Sequence, residues 1–132
     1  MTVRIEGWAS LYDVVDNDSD LVSPGAFDDS LKIRSRIPML FNHDPSRPCG
    51  VWKSVTSKDK GLWVVGEVTD PDLKRPLLDK SLFGLSIGYN TKLSSKDNGI
   101  RRLLKVDLIE LSIVSVPMCY GCHITKTLDW TR

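Results

Sequence analysis

The segment from Gly84 to Val116 fits one local structure best: two strands, at 84–93 and 100–116, joined by a polar turn from Ser94 to Gly99. The run Val106 to Val116 is apolar on both faces, so it belongs inside a packed sheet rather than at a solvated surface. The rest of the chain repeats the theme in shorter pieces. Residues 2–12 read as a strand with a possible bulge at Gly7, and residues 37–43 as another. Residues 49–57 and 61–69 read as a hairpin around Lys58-Asp59-Lys60-Gly61. After the first strand, Asp16-Asn17-Asp18-Ser19-Asp20 is a polar turn.

Ser23-Pro24 looks like a helix start, predicting a short helix over 24–33 that buries Phe27 and Leu31. A second helix is expected over 72–82, weakened by Pro76. The tail after Pro117 has no clear pattern. Six strands in 132 residues predict an α+β domain that is mainly β, a small closed or curled β-barrel with a few short helices around it.

The charge balance narrows the function. Eighteen Lys and Arg against seventeen Asp and Glu leave a net charge of +1, which gives no general attraction to nucleic acid or to an acidic membrane. No apolar stretch approaches the roughly 20 residues that span a bilayer. The first residues lack the apolar region of a signal peptide, so a cytoplasmic setting is expected. Three cysteines are an odd, small set and predict no disulfide framework.

The residues that could carry chemistry begin with Gly84-Leu85-Ser86-Ile87-Gly88-Tyr89. In a strand, Leu85, Ile87 and Tyr89 share one face, suited to a core. Gly84, Ser86 and Gly88 share the other, a bare strip with one hydroxyl at its centre, open to the close approach of another backbone. The spacing also meets G-x-S-x-G, but the helix that should follow the serine in an α/β-hydrolase is missing. A buried structural serine beside packing glycines is the plainer alternative.

His43 lies where a strand gives way to the Pro-marked turn Asn42-His43-Asp44-Pro45. A serine hydroxyl needs a base within hydrogen-bond reach to become nucleophilic, and neutral histidine is suited to that task. An exposed, uninvolved histidine is the alternative. Glu110 is the third candidate. By strict alternation it shares a face with Val106, Leu108, Val114 and Val116, where a lone carboxylate is costly unless paired. Its partner could be a histidine that becomes cationic during catalysis, a nearby Lys or Arg, or solvent at an edge. Asp44 is a poorer partner for His43, because sequence neighbours tend to point apart. Cys119-Tyr120-Gly121-Cys122-His123 matches the CxxCH of haem attachment, but without an export signal it reads as an accidental cluster. A zinc site there would have only Cys49 left as a cysteine ligand.

These segments, taken in order, resemble the caudoviral prohead proteases, the HK97-type family of capsid maturation proteases. The landmarks are Gly7-Trp8-Ala9-Ser10 with Tyr12-Asp13, Pro24-Gly25-Ala26-Phe27 with Ser30-Leu31, Pro38 through Asp44, Gly61-Leu62, Gly84 through Tyr89, and Leu111-Ser112 leading to Val114-Ser115-Val116-Pro117. The resemblance implies Ser86 as nucleophile and His43 as base, with Glu110 as the third member and His123 as a remote substitute. It implies a fold similar to the herpesvirus assemblins; acyl transfer at Ser86 would in addition need its oxyanion held, which backbone N–H groups near Ser86, aided by Arg101 or Arg102, are expected to do. The resemblance also implies no cofactor and no metal, and major capsid and scaffold proteins as substrates inside a procapsid in the bacterial cytoplasm. A homo-oligomer is compatible with it. The chain departs from the family after the last strand, where Pro117-Met118-Cys119 stands in place of Pro-Ala-Asn. An inactive scaffold or docking module on the same fold is the alternative function, and the presence of both His43 and Ser86 speaks against it.

Overall fold

In the computed structural model, which describes residues 2–34 and 36–129, those residues form eight strands and two short helices. β1 (Val3–Leu11) alternates buried and half-exposed residues over its first part, so Val3 and Ile5 enter the core while Arg4 and Glu6 face outward. β2 (Asp20–Val22) is a short strand within and just after the expected polar turn. α1 (Asp28–Ile33) starts four residues later than expected. The cause is Gly25, whose φ of +88° lies outside the helical region, so Ser23 accepts the Ala26 N–H in a turn instead of capping a helix.

β3 (Pro38–Phe41) and β4 (Asp44–Ser57) form a hairpin, and β4 continues into a second hairpin with β5 (Gly61–Val68). α2 (Pro71–Leu78) opens on Asp70, whose side chain accepts the Asp72 N–H at 2.9 Å, with Pro71 in the first turn. It ends before Lys80, which has a φ of 67°, and so stops short of residue 82. β6 (Gly84–Asp97) runs past the expected end at residue 93, because its turn to β7 (Ile100–Val114) is only Asn98-Gly99, with φ of 52° and 79°, while β7 ends before the expected residue 116. Two residues at positive φ make the tight connection whose twist matches a hairpin. The patternless tail contains β8 (Ile124–Asp129), which pairs with β1.

The sheet runs β2-β7-β3-β4-β5-β1-β8, with β6 paired to β7. It curls into a half-barrel around Phe27, Leu62, Val64, Leu77, Leu85, Leu103, Leu108, Leu111 and Ile113, all essentially inaccessible to water. No helix among the described residues is long and apolar enough to cross a membrane.

β7 is the strand on which the rest is organised. One of its edges carries β6 along nearly its whole length. The other carries β2 at Arg101–Leu103 and β3 at Leu111–Ile113, both parallel to it. Between those two strands its edge is covered by α1 and the turn before it. Val106 donates to Ala26 O at 3.1 Å, and Leu108 N donates to the Ser30 hydroxyl at 2.8 Å. Ser30 is thus a side-chain substitute for a missing strand. Replacing it with alanine strands a buried N–H, which costs about 1–3 kcal/mol. Ser30→Ala is expected to lower the urea midpoint accordingly with an unchanged slope; an unmoved midpoint would show that this edge is satisfied in another way.

Candidate active site

The site lies where β6, β7 and β3 run side by side. β6 behaves as its alternation predicts: Leu85 is buried in the core, Ile87 and Tyr89 pack against it, and Ser86 falls on the opposite face. Directly across the ladder, Ser86 pairs with Ser112 and Gly88 with Glu110, while Tyr89 pairs with Leu108. Gly88 and Tyr89 are neighbours on opposite faces, so Glu110 and Leu108 are on opposite faces too. A β-bulge in β7 at Ile109 produces this phase change. The expectation that Val106 and Leu108 share Glu110's face is therefore wrong, because strict alternation fails across the bulge. The bulge aims Glu110 at the Ser86 face and keeps Leu108 in the core.

Glu110 is 8% exposed, and its carboxylate lies over Gly88, where a β-carbon would collide with Oε2. The glycine at this position is there to admit the carboxylate.

His43 comes to this face on the β3–β4 turn. Phe41 and Asp44 pair across it, leaving Asn42 and His43 as a two-residue loop with φ of 51° and 60°. Positive φ is uncommon outside glycine, and asparagine and histidine are among the residues that adopt it most readily. Two anchors hold the turn. Asn42 N donates to Ile113 O at 2.9 Å and its side chain accepts the Ser115 N–H at 2.9 Å. His43 N donates to the Ser112 hydroxyl at 3.0 Å.

The ring then spans the gap between β6 and β7. Nδ1 is hydrogen-bonded to Glu110 Oε2, and Nε2 lies 3.1 Å from Ser86 Oγ. A carboxylate accepts only, so Nδ1 carries the proton and Nε2 is left with its lone pair toward the serine. Glu110 Oε1 accepts the Ser112 hydroxyl at 2.7 Å. The hydrogen bond that Nδ1–H donates to Glu110 raises the His43 pKa above the ordinary histidine value; partial burial opposes the rise, and the carboxylate's charge adds to it.

A cleft of about 170 Å³ opens beside Ser86 and His43. The inner side of β6 forms one wall, Ala9 to Leu11 of β1 another, and Asp16, Asp18, Met118, Cys119 and Cys122 contribute to its rim. β6 is paired with β7 on one edge; on the other, apart from a bridge between Gly84 and His123 and the Leu85 N–H donated to Cys122 O, no strand among the described residues pairs with it from Ser86 onward.

Several expected residues lie elsewhere. Arg101 forms a two-pronged pair with Asp20, and Arg102 contacts Asp13 and Ser23, so both guanidinium groups are committed to the β2 region. Neither lines the cleft. His123 lines a separate cavity with Leu77, Leu82 and Phe83. Asp44 turns away from His43 and accepts the backbone and hydroxyl of Ser46. Cys119 and Cys122 are not an accidental cluster: they are joined in a disulfide, with Cα atoms 5.2 Å apart, closing the turn at the cleft rim. The buried Cys49 sits apart in the core. Ser112 is the site residue that the reading of single side chains passes over. Its place on Glu110's face was available from alternation alone.

The sequence matches the caudovirus prohead serine protease family over residues 1–129. It is 36% identical over 92 residues to the prohead protease of Enterobacteria phage HK97, a match that takes in 64% of this chain and 41% of that relative, so the chain spans about two fifths of its length. The fold is similar to that of the bacteriophage T4 capsid assembly protease, at a TM-score of 0.72, 16% identity, and coverage of 86% of this chain and 82% of the other. It is also similar to that of the KSHV protease solved with a hexapeptide phosphonate inhibitor, at a TM-score of 0.70, 13% identity, and coverage of 98% and 66%. With nearly the whole chain under the family's pattern, the protein belongs to the caudovirus prohead serine proteases.

Proposed function

We propose that the protein is a serine endopeptidase that cleaves phage capsid or scaffold polypeptides during prohead maturation, through Ser86, His43 and Glu110. The observation that carries this reading is the placement of His43 Nε2 at 3.1 Å from Ser86 Oγ while Nδ1 is held by Glu110. Ser86 attacks the scissile carbonyl as His43 takes its proton. His43 then delivers that proton to the leaving amine, and water repeats the cycle on the acyl-enzyme. Glu110 fixes the tautomer and stabilises the imidazolium. The edge of β6 to which no described strand pairs supports an extended polypeptide as substrate, since a strand laid along it would pass Ser86 with its backbone hydrogen-bonded. Family membership supports capsid proteins as the substrate class, and with them action within the procapsid in the bacterial host. The complete Ser86–His43–Glu110 arrangement weighs against an inactive docking module.

A serine-directed fluorophosphonate is expected to label Ser86 alone. Ser86→Ala should abolish labelling and scaffold cleavage with an unchanged melting temperature; labelling elsewhere would refute the nucleophile. Glu110 is tested through pH. It raises the His43 pKa, and the base works only when neutral, so activity is lost as pH falls through that raised value. Glu110→Gln removes the charge and nearly keeps the shape. The plateau rate should fall by roughly 10²- to 10⁴-fold, the upper figure being that of the triad acid in another serine protease. The acid limb should move to lower pH as well. A fall in rate with an unmoved limb would point to structural damage instead.

A further inference from the structure

We infer that Ser112 is a positioning residue of the proposed triad, holding Glu110 and His43 in register with each other through a single hydroxyl. The inference rests on the reading of Ser86, His43 and Glu110 given above. Ser112 is completely buried, at 0% exposure, and its hydroxyl is used on both sides. It donates to Glu110 Oε1 at 2.7 Å and accepts the His43 backbone N–H at 3.0 Å. One proton and one lone pair are thereby committed, which leaves the hydroxyl no free rotation.

The consequence is geometric. Glu110 has two oxygens: Oε2 meets the imidazole and Oε1 meets Ser112. The carboxylate plane is thereby fixed by the same hydroxyl that fixes the His43 backbone. His43 sits at a φ of 60°, a region sparsely populated outside glycine that the anchors of the turn help to hold. Ser112 is also the cross-strand partner of Ser86, and Leu40, three residues before His43, pairs with it from the other side. The residue therefore stands at a ladder position that adjoins the nucleophile's strand and bonds both base and acid.

Removing the hydroxyl should cost orientation, not binding. In Ser112→Ala the carboxylate can leave Nδ1 and the turn can relax. Hydrolysis of a soluble scaffold-derived peptide is expected to lose roughly 10- to 100-fold in kcat, the range seen when outer-shell partners that orient a metal-bound imidazole are removed. KM should stay within about threefold, as for a group that acts in the transition state only. The His43 titration, read by NMR of the ring in a Ser86→Ala background, should shift to lower pH because the counter-charge is held less firmly. If Ser112→Ala melts below the working temperature, Ser112→Cys, which keeps the shape but offers a weaker donor, carries the same expectations.

A folded Ser112 variant with unchanged kcat and unchanged His43 titration overturns the inference, and so does a change confined to KM. Glu110→Gln measured alongside separates the two levels. If Glu110→Gln leaves both kcat and the titration unmoved, the triad reading itself falls. If Glu110→Gln acts and Ser112→Ala does not, only the role of Ser112 falls.

Discussion

The pair on which the site depends is Glu110 with His43. A carboxylate that is 8% exposed on a strand backed by core needs donors to replace water, and no Lys or Arg among the described residues is paired with it. Two groups supply them: the imidazole Nδ1–H and the Ser112 hydroxyl. The arrangement goes with a non-glycine residue at positive φ, His43, and with a glycine at 88, where a β-carbon would meet the carboxylate in its present position. Both features fit a carboxylate that has to be where it is. Pairing also explains why Glu110 is not merely an expensive buried charge: its solvation is supplied by groups already fixed, one in the β3–β4 turn and one two residues along β7 itself.

Strand register places these groups, and the β7 bulge sets the register. Without the extra residue at Ile109, alternation carried back from Ser112 would put Leu108 on the Ser86 face and leave the core short of an apolar residue. With it, one strand supplies Val106 and Leu108 to the core from its first half and Glu110 and Ser112 to the site from its second. A one-residue insertion thus lets a continuous apolar strand serve two faces. Ser86, by contrast, needs no such device, because β6 is regular from Gly84 to Gly88.

This difference explains what could be read from the sequence. The faces of β6, the hairpin of β4 and β5, and the strand at β1 depend on local alternation and were legible. Ser86, His43 and Glu110 could be nominated because each is a chemically distinctive residue in an otherwise apolar or glycine-rich setting. The face of Glu110 could not be derived, because a bulge leaves no mark in composition: Leu108-Ile109-Glu110 reads as ordinary strand. β2 and β8 were missed for a related reason. Asp20–Val22 and Ile124–Asp129 are held by neighbours distant in sequence, β7 and β1, and carry little periodicity of their own. The Cys119–Cys122 disulfide was misjudged by counting cysteines over the whole chain, when a two-residue spacing closes a local turn whatever the third cysteine does.

Chemistry and recognition accordingly draw on different parts of the molecule. The Ser86–His43–Glu110–Ser112 cluster is carried by three adjacent strands and the tight turn that ends β3, so its geometry is as firm as the sheet itself. The walls of the cleft come from Ala9 to Leu11, the turn containing Asp16 and Asp18, and the disulfide-closed turn at Cys119–Cys122. These segments meet only because the sheet curls far enough to bring β1 beside β6 without pairing to it. A curl that closed fully would join the two edges and eliminate the cleft, and a flatter sheet would leave Ser86 without a second wall. The incompleteness of the barrel is therefore the feature that keeps the cleft open at Ser86, as the proposed polypeptide substrate requires. It follows from the strand order as a whole, which is why the residues of the wall, unlike those of the cluster, carry no chemical signature in the sequence.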